Sequence, residues 1–388
     1  MSDLIPLSVP EIRGNEWHYI KECLDTGWVS SVGSFVDRFE KEIKNYTGAK
    51  HAVACMNGTS ALHVSMVIAG VQPDDEVIMP TLTFIAPVNV VKYINAHPVF
   101  MDCDEYYNLD YQKTIEFIET GTIFRDGCSY NRLTGRRISA LIPVHVFGNA
   151  ARLDDLAIIC GERNIAIIED ATESLGSRYT EGIHAGRHTG TVGQLGCYSF
   201  NGNKIITTGG GGMIVTDSEE YAKKAKYLTT QAKDDEVYFI HNEIGYNYRM
   251  TNIQAAMGVA QLEMLPEYIH TKKEHYAKYI EYLSGTEGIA LCPVPPYSDN
   301  NHWMYALQLN PRHSGGKRDR LIKGLKEKNI QTRPVWHLNH LQKPYKNCQT
   351  YRIEHAYLMI DKTINIPCSV GLSDEDIRRV ADAIRSIE

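Results

Sequence analysis

The segment Ser199-Phe200-Asn201-Gly202-Asn203-Lys204-Ile205-Ile206-Thr207-Thr208-Gly209-Gly210-Gly211-Gly212 sets one lysine between a short apolar run and four consecutive glycines. Residues 197–200 read as a strand, and 213–216 as a second one. Because the glycines lead into a strand and not a helix, the segment is neither a Walker A loop nor a dinucleotide fingerprint. Lacking Cβ atoms, they instead let the chain fold tightly around whatever lies beside Lys204. Lys204 is the only charged residue of the stretch. An amine in such a setting can be kept reactive as a nucleophile.

Upstream, apolar runs at 51–55, 76–79, 98–101, 139–144 and 165–170 alternate with helix-like segments at 60–69, 87–95 and 153–164. That alternation predicts βα units and a mostly parallel sheet, hence an α/β fold. Such sheets take ligands at the carboxyl ends of their strands. Two helices are expected before the first strand. The first, over 15–26, carries Trp17, Ile20 and Leu24 at helical spacing, which predicts that these face the core, and Gly27 ends it. The second starts after Ser34 as N-cap, with Phe35, Phe39 and Ile43 on one face. Downstream, helices are expected over 218–228 and 251–283, the latter broken near Pro266. Residues 124–137 read as a polar, basic surface excursion. A cluster of prolines at 293–296 marks a linker. The expected organisation is residues 1–291 as N-terminal helices plus a large α/β domain, and 292–388 as a smaller α+β domain.

Composition excludes several classes. The 388 residues hold 40 Lys+Arg against 47 Asp+Glu, a net charge of −7, which gives no electrostatic footprint for nucleic acid. No apolar run is long enough to span a membrane, and the first residues have neither a basic nor an apolar leader segment. The nine cysteines form no CxxC pair, so they are expected as reduced thiols in a cytoplasmic protein.

Two further segments bear on chemistry. Asn57-Gly58-Thr59-Ser60-Ala61 follows an apolar strand and opens a helix. Free N–H groups and the helix dipole meet there, which suits a phosphate beside Gly58, Thr59 and Ser60; an ordinary Ser/Thr helix cap is the other reading. Ile165-Ala166-Ile167-Ile168-Glu169-Asp170 describes a buried strand with acids at its carboxyl end. They are placed either to meet a ligand or to cap the next segment. One cofactor needs a phosphate cradle, a carboxylate for a pyridinium nitrogen and a Schiff-base lysine, and that cofactor is pyridoxal 5'-phosphate.

On these residues the chain resembles the DegT-type sugar aminotransferases, which have the aspartate-aminotransferase-like fold (PLP fold type I). The resemblance runs from about Ile5 to the C-terminus. It is carried by Gly27-Trp28-Val29-Ser30-Ser31-Val32-Gly33, Glu169-Asp170-Ala171-Thr172-Glu173-Ser174-Leu175-Gly176, Ser199 through Met213, and Gly245-Tyr246-Asn247-Tyr248-Arg249-Met250. Around Lys204 and Glu173 it is nearest to the branch that aminates UDP-linked 4-keto-6-deoxy-N-acetylhexosamines in bacillosamine and legionaminic acid pathways. The resemblance implies Lys204 as the catalytic, cofactor-linked lysine and Asp170 as the partner of the ring nitrogen. Glu173 falls near the cofactor's 3-hydroxyl, Thr59 and Ser199 at its phosphate, and Phe84 stacked on its ring, with a plain core phenylalanine as the other reading of Phe84. Asn247 would reach the phosphate of the neighbouring subunit in a homodimer with shared active sites. Trp28, Ser30, Ser31, Arg333 and His337 would face the nucleotide-sugar substrate.

The implied reaction moves an amino group from L-glutamate to the C4 ketone of the UDP sugar. The alternative is a GDP- or dTDP-linked 4-keto-6-deoxyhexose, as in perosamine synthesis. A sugar dehydratase of the same fold would replace the lysine, usually with histidine. A nicotinamide-dependent sugar enzyme would need an N-terminal glycine fingerprint, and a non-catalytic regulator would not need Lys204, Asp170 and the phosphate loop together. No metal is expected: His337/His340 and His184/His188 lack an accompanying acid in a metal motif.

Overall fold

The computed structural model describes residues 3–235, 237–310 and 316–387. Its strands are β1 His51–Cys55, β2 Glu76–Pro80, β3 His97–Met101, β4 Thr122–Arg125, β5 Cys128–Asn131, β6 Arg137–Leu141, β7 Ala166–Asp170, β8 Arg178–Tyr179, β9 Leu195–Ser199, β10 Gly212–Thr216, β11 Ile289–Leu291, β12 Ser298–Asp299, β13 Tyr305–Leu309, β14 Arg333–Pro334, β15 Thr350–Tyr351 and β16 Thr363–Ile366. Its α-helices are α1 Glu16–Thr26, α2 Ser34–Thr47, α3 Gly58–Ile68, α4 Ala86–Tyr93, α5 Tyr111–Thr120, α6 Asp154–Glu162, α7 Glu219–Thr229, α8 Asn252–Tyr282, α9 Lys317–Glu327, α10 His355–Lys362 and α11 Asp374–Ile387.

The main sheet runs β1-β10-β9-β7-β6-β2-β3-β15, and β5 continues from β6 to β4. From β9 to β15 the neighbours on this path are parallel, while β1 and β10 form an antiparallel edge. Every residue of β2 is buried because both faces of the sheet are covered. Val77 and Met79 join the core under α3, α4 and α7, whereas Ile78 joins the core under α5 and α6. This is the period-two alternation of a strand with apolar layers on either side. A third core, with Phe39, Ile43, Val259 and Leu265, packs α2 and α8 over Met213 and Val215 of β10.

The structure corrects several local expectations. Trp17 is 84% exposed and Leu24 is exposed too. The face of α1 that meets α8 carries Glu16 and Cys23, with Glu16 Oε1 receiving Gln261 Nε2. Of the expected stripe only Ile20 packs against the core, beside Tyr19. Ser34 is the first residue of α2 and makes no side-chain cap; Gly33 holds the cap position. Asn252 from α8 supplies the missing acceptor, its Oδ1 taking the Phe35 N–H at 3.0 Å. Pro266 does not break α8, which is continuous from Asn252 to Tyr282. A proline removes one helical N–H, and α8 is held along its length by α1, α2 and α11 and opened by a Thr251/Gln254 capping box. Residues 122–131 form an antiparallel hairpin, β4–β5, paired to the sheet through β6.

The smaller unit takes segments from both sides of the division expected at 291/292. Its sheet is β11-β13-β16-β14, and Ile5 forms a bridge with Ile330. Conversely, β15 extends the large sheet beside β3, and β12 pairs with β8. No helix among the described residues is long and apolar enough to cross a membrane.

Asn252 also donates from Nδ2 to the Trp28 carbonyl at 2.8 Å and is 2% exposed. Asn252→Ala should therefore cost about 1–2 kcal/mol by uncapping α2 and removing the donor to the Trp28 carbonyl. A denaturant midpoint unchanged from wild type would refute this.

Candidate active site

The ends of β7 and β9 and the start of α3 meet at one cavity of about 370 Å³. Asn57 caps α3: its Oδ1 accepts the Ser60 N–H at 2.7 Å, and its carbonyl accepts that of Ala61. This leaves the N–H groups of Gly58 and Thr59 without a partner among the described residues, as first-turn groups of a helix are. A Cβ on Gly58 would stand 2.9 Å from Ser199 Cβ and 3.0 Å from Thr172 Cγ2, so only glycine fits between them. Gly212 likewise lets β10 pass the backbone of Asn57, 2.4 Å from where its Cβ would be. Ser60 is buried behind the cavity and does not line it.

Lys204 enters from the β9–β10 connection. Phe200 donates to Gly211 and receives Thr208, closing the loop, and the Lys204 N–H turns back to Asn201 at 2.9 Å. Its side chain is 13% exposed, with Nζ 3.9 Å from Glu173 Oε1. Asp170 ends β7, and its Oδ1 accepts the Thr172 N–H at 3.1 Å. Asp170 thus holds a turn rather than capping a helix, since no helix begins at Ala171, and its side chain lines the cavity. Glu173 Oε2 accepts the Phe147 N–H at 2.9 Å. Phe147 is buried with φ +56°, a conformation costly for a bulky residue that is held here by surrounding contacts.

Burial dominates the electrostatics. It raises the Asp170 carboxyl against the opposing pull of the Thr172 hydrogen bonds and Lys204. It raises Glu173 to about 7 despite Lys204 and the Phe147 N–H. It lowers the Lys204 amine, which Glu173 and Asp170 pull back up. Burial thus shifts the amine and the carboxyl toward each other in proton affinity. The linkage has a definite sign. Without a ligand, the folded chain holds a proton on Glu173 between its ordinary value of 4.5 and about 7, where the unfolded chain releases it. Stability from this group therefore falls as pH rises through that window. Glu173→Gln should remove the dependence, gaining up to about 3 kcal/mol over wild type at pH 8 relative to pH 4. Equal pH slopes in urea unfolding of the two cofactor-free proteins would contradict it.

Behind the cavity lies a pair that the sequence did not single out. Glu169, one residue before Asp170 and on the opposite face of β7, accepts His145 Nε2 at 2.8 Å and the N–H groups of Gly190, Val192 and Gly193. Burial alone would raise its carboxyl, but these partners hold it below its ordinary value. His145 Nδ1 accepts the Ala151 N–H at 3.0 Å, which assigns the ring proton to Nε2. The pair fixes the strand that carries Asp170.

The other expected residues divide. Phe84 is 53% exposed at the cavity rim, so it is not a core residue. Asn247 is exposed and does not line the cavity; Arg249 donates to it at 3.4 Å. Trp28, Ser30 and Ser31 lie on the loop before α2, away from the cavity. Arg333 and His337 are exposed and do not line it either, whereas Trp336 between them does. Trp336 stacks on Phe147 with centroids 5.1 Å apart. Trp303, Asn201 and Asn203 also line the cavity and were missed. Nothing local marks the two tryptophans, which arrive from beyond residue 300; the two asparagines could have been found as neighbours of Lys204.

The sequence profile of the DegT/DnrJ/EryC1/StrS aminotransferase family matches residues 10–385. The chain belongs to this family. Curated relatives include a GDP-perosamine synthase of Caulobacter vibrioides, 38% identical with 100% of both chains covered, and one of Escherichia coli O157:H7, 33% identical over 98% of this chain and 97% of the relative. Among solved structures, DesI in the presence of its TDP-sugar product superposes with a TM-score of 0.87 at 27% identity, covering 100% of this chain and 93% of that one. The family's enzymes are nucleotide-sugar aminotransferases of PLP fold type I that use pyridoxal phosphate. The cavity fits that cofactor. Gly58 leaves room and free N–H groups for a phosphate, Asp170 is a buried acid open to a cationic ring nitrogen, and Lys204 brings an amine.

Proposed function

We propose that the protein transfers an amino group from L-glutamate to the C4 ketone of a GDP-linked 4-keto-6-deoxyhexose. The observation that carries the reaction type is the convergence of Lys204, Asp170 and the α3 N-terminus on one cavity. Full-length similarity to relatives named GDP-perosamine synthase supports the GDP sugar over the UDP-linked N-acetylhexosamine suggested by the strings around Lys204 and Glu173.

Pyridoxal phosphate supplies an electrophilic carbonyl carbon and a ring that takes up the electrons left on the donor's Cα. The chain's residues do the rest. Gly58, Thr59 and Ser199 would hold the phosphate, and the Asp170 carboxylate would hold the proton on the ring nitrogen. Phe84 would cover the cofactor ring, and Glu173 would hold a proton near its 3-hydroxyl. Lys204 Nζ would anchor the cofactor and, when free, would be the base that takes the proton from the donor's Cα. The same amine moves protons in the opposite sense when the sugar ketone is aminated.

The catalytic unit is a homodimer, and the protein works in the cytoplasm. Exposed apolar side chains at Val237, Tyr238, Phe239 and Ile244, near Asn247, and at Trp17 and Leu24 support an interface with a second copy. Trp28, Ser30, Ser31, Arg333 and His337 would meet the nucleotide sugar from surfaces outside the cavity.

Turnover of GDP-, UDP- and dTDP-linked 4-keto-6-deoxy sugars with glutamate, with products assigned by NMR, tests the substrate. The GDP sugar should lead in kcat/KM by at least about tenfold, a difference of 1.4 kcal/mol in transition-state binding. A UDP N-acetyl sugar in the lead would reverse the assignment.

A further inference from the structure

Trp303 touches Lys204 in a way that no step above uses. The Lys204 Nζ lies 4.3 Å from the centroid of its ring. The indole N–H donates to the carbonyl of Asn203, the residue before Lys204, at 2.7 Å. The backbone N–H of Trp303 donates to Asn301 Oδ1 at 2.9 Å. Asn301 is fully buried, and its Nδ2 donates to the carbonyls of Glu173 and Leu175 at 3.0 Å each. One buried amide thus joins the segment bearing Glu173 to the segment bearing Trp303, and both flank the same amine.

We propose that Trp303 is a positioning residue for Lys204. It ties the lysine's backbone through its indole N–H, and its face is the resting place of the amine whenever that amine is free and protonated. The inference rests on the reading of Lys204 as the reacting amine. A cation over an indole face gains most where water is excluded, and Trp303 is 4% exposed. The lysine stem is long and flexible. Without this seat the amine samples other rotamers and meets the substrate's proton less often, so kcat falls while KM changes little.

The test reads Lys204 itself. Cofactor-free protein is labelled with a limiting amine-reactive anhydride across pH, and mass spectrometry of the Lys204 peptide gives the titration of its amine. The charged groups acting on Lys204 among the described residues are Glu173 and Asp170, and the variants leave both in place. Tetrafluorotryptophan at 303 keeps the indole shape and N–H but withdraws electron density from the face. It should lower the apparent pKa of Lys204 by about one unit, as should Trp303→Leu if that variant folds. Trp303→Phe, which keeps an aromatic face, should lower it less and retain more of kcat. An unmoved titration in the folded tetrafluorotryptophan protein overturns the proposal, as does a larger shift for Trp303→Phe than for Trp303→Leu. Wild-type protein that takes up no cofactor on Lys204 would instead refute the reading of that lysine, and the titrations would still decide the cation–indole contact.

Discussion

Lys204→Ala should lower transamination at least about 1,000-fold, because in the proposed mechanism one side chain would both anchor the cofactor and move the proton. The loss should fall on kcat. Cofactor retention should survive in part, since Gly58, Thr59, Ser199 and Asp170 stand on other elements than the lysine and do not need it for their own geometry. Dialysis followed by visible absorbance separates the two effects: the variant should hold cofactor that is no longer linked to protein. The fold should be unaffected, because Lys204 makes one backbone turn and no structural ion pair closer than 3.9 Å. Turnover near the wild-type rate would remove the basis for the proposed chemistry.

Two impaired variants should gain activity when combined. Asn247 is exposed and outside its own chain's cavity, on a segment whose neighbours Val237, Tyr238, Phe239 and Ile244 are uncovered apolar side chains. If that segment reaches a partner's cofactor phosphate, Asn247→Asp sets a carboxylate against the phosphate and weakens cofactor binding. In a heterodimer with Lys204→Ala, one site keeps Lys204 from the first chain and receives an intact Asn247 from the second. Random reassembly of equal amounts of a two-fold dimer should then restore about a quarter of wild-type activity. Proven heterodimers without any gain would place Asn247 outside the shared site.

Local pattern was enough for the parallel part of the sheet and for the three segments that meet at the cavity. Short continuous apolar runs such as those within 76–80 and 166–170 announce strands with both faces covered. The Gly-Thr-Ser start of α3, the acids closing β7 and the single lysine before four glycines are all contiguous signals. Their chemistry follows from which backbone groups an element's end leaves free, and that is decided within a few residues. The remaining wall of the cavity could not be read this way. Trp303 and Trp336 reach it from beyond residue 300, and Asn301 bonds the Glu173 segment from 128 positions away in the sequence. Nor could pattern alone rotate α1: its apolar stripe promised burial of Trp17, Ile20 and Leu24, yet only Ile20 packs against the core while Trp17 and Leu24 face outward. Pro266 sits inside an unbroken helix because three other helices hold α8 on either side of it. Periodicity specifies an element and its two faces, while the partner that each face meets depends on packing between residues hundreds of positions apart, which no local window contains.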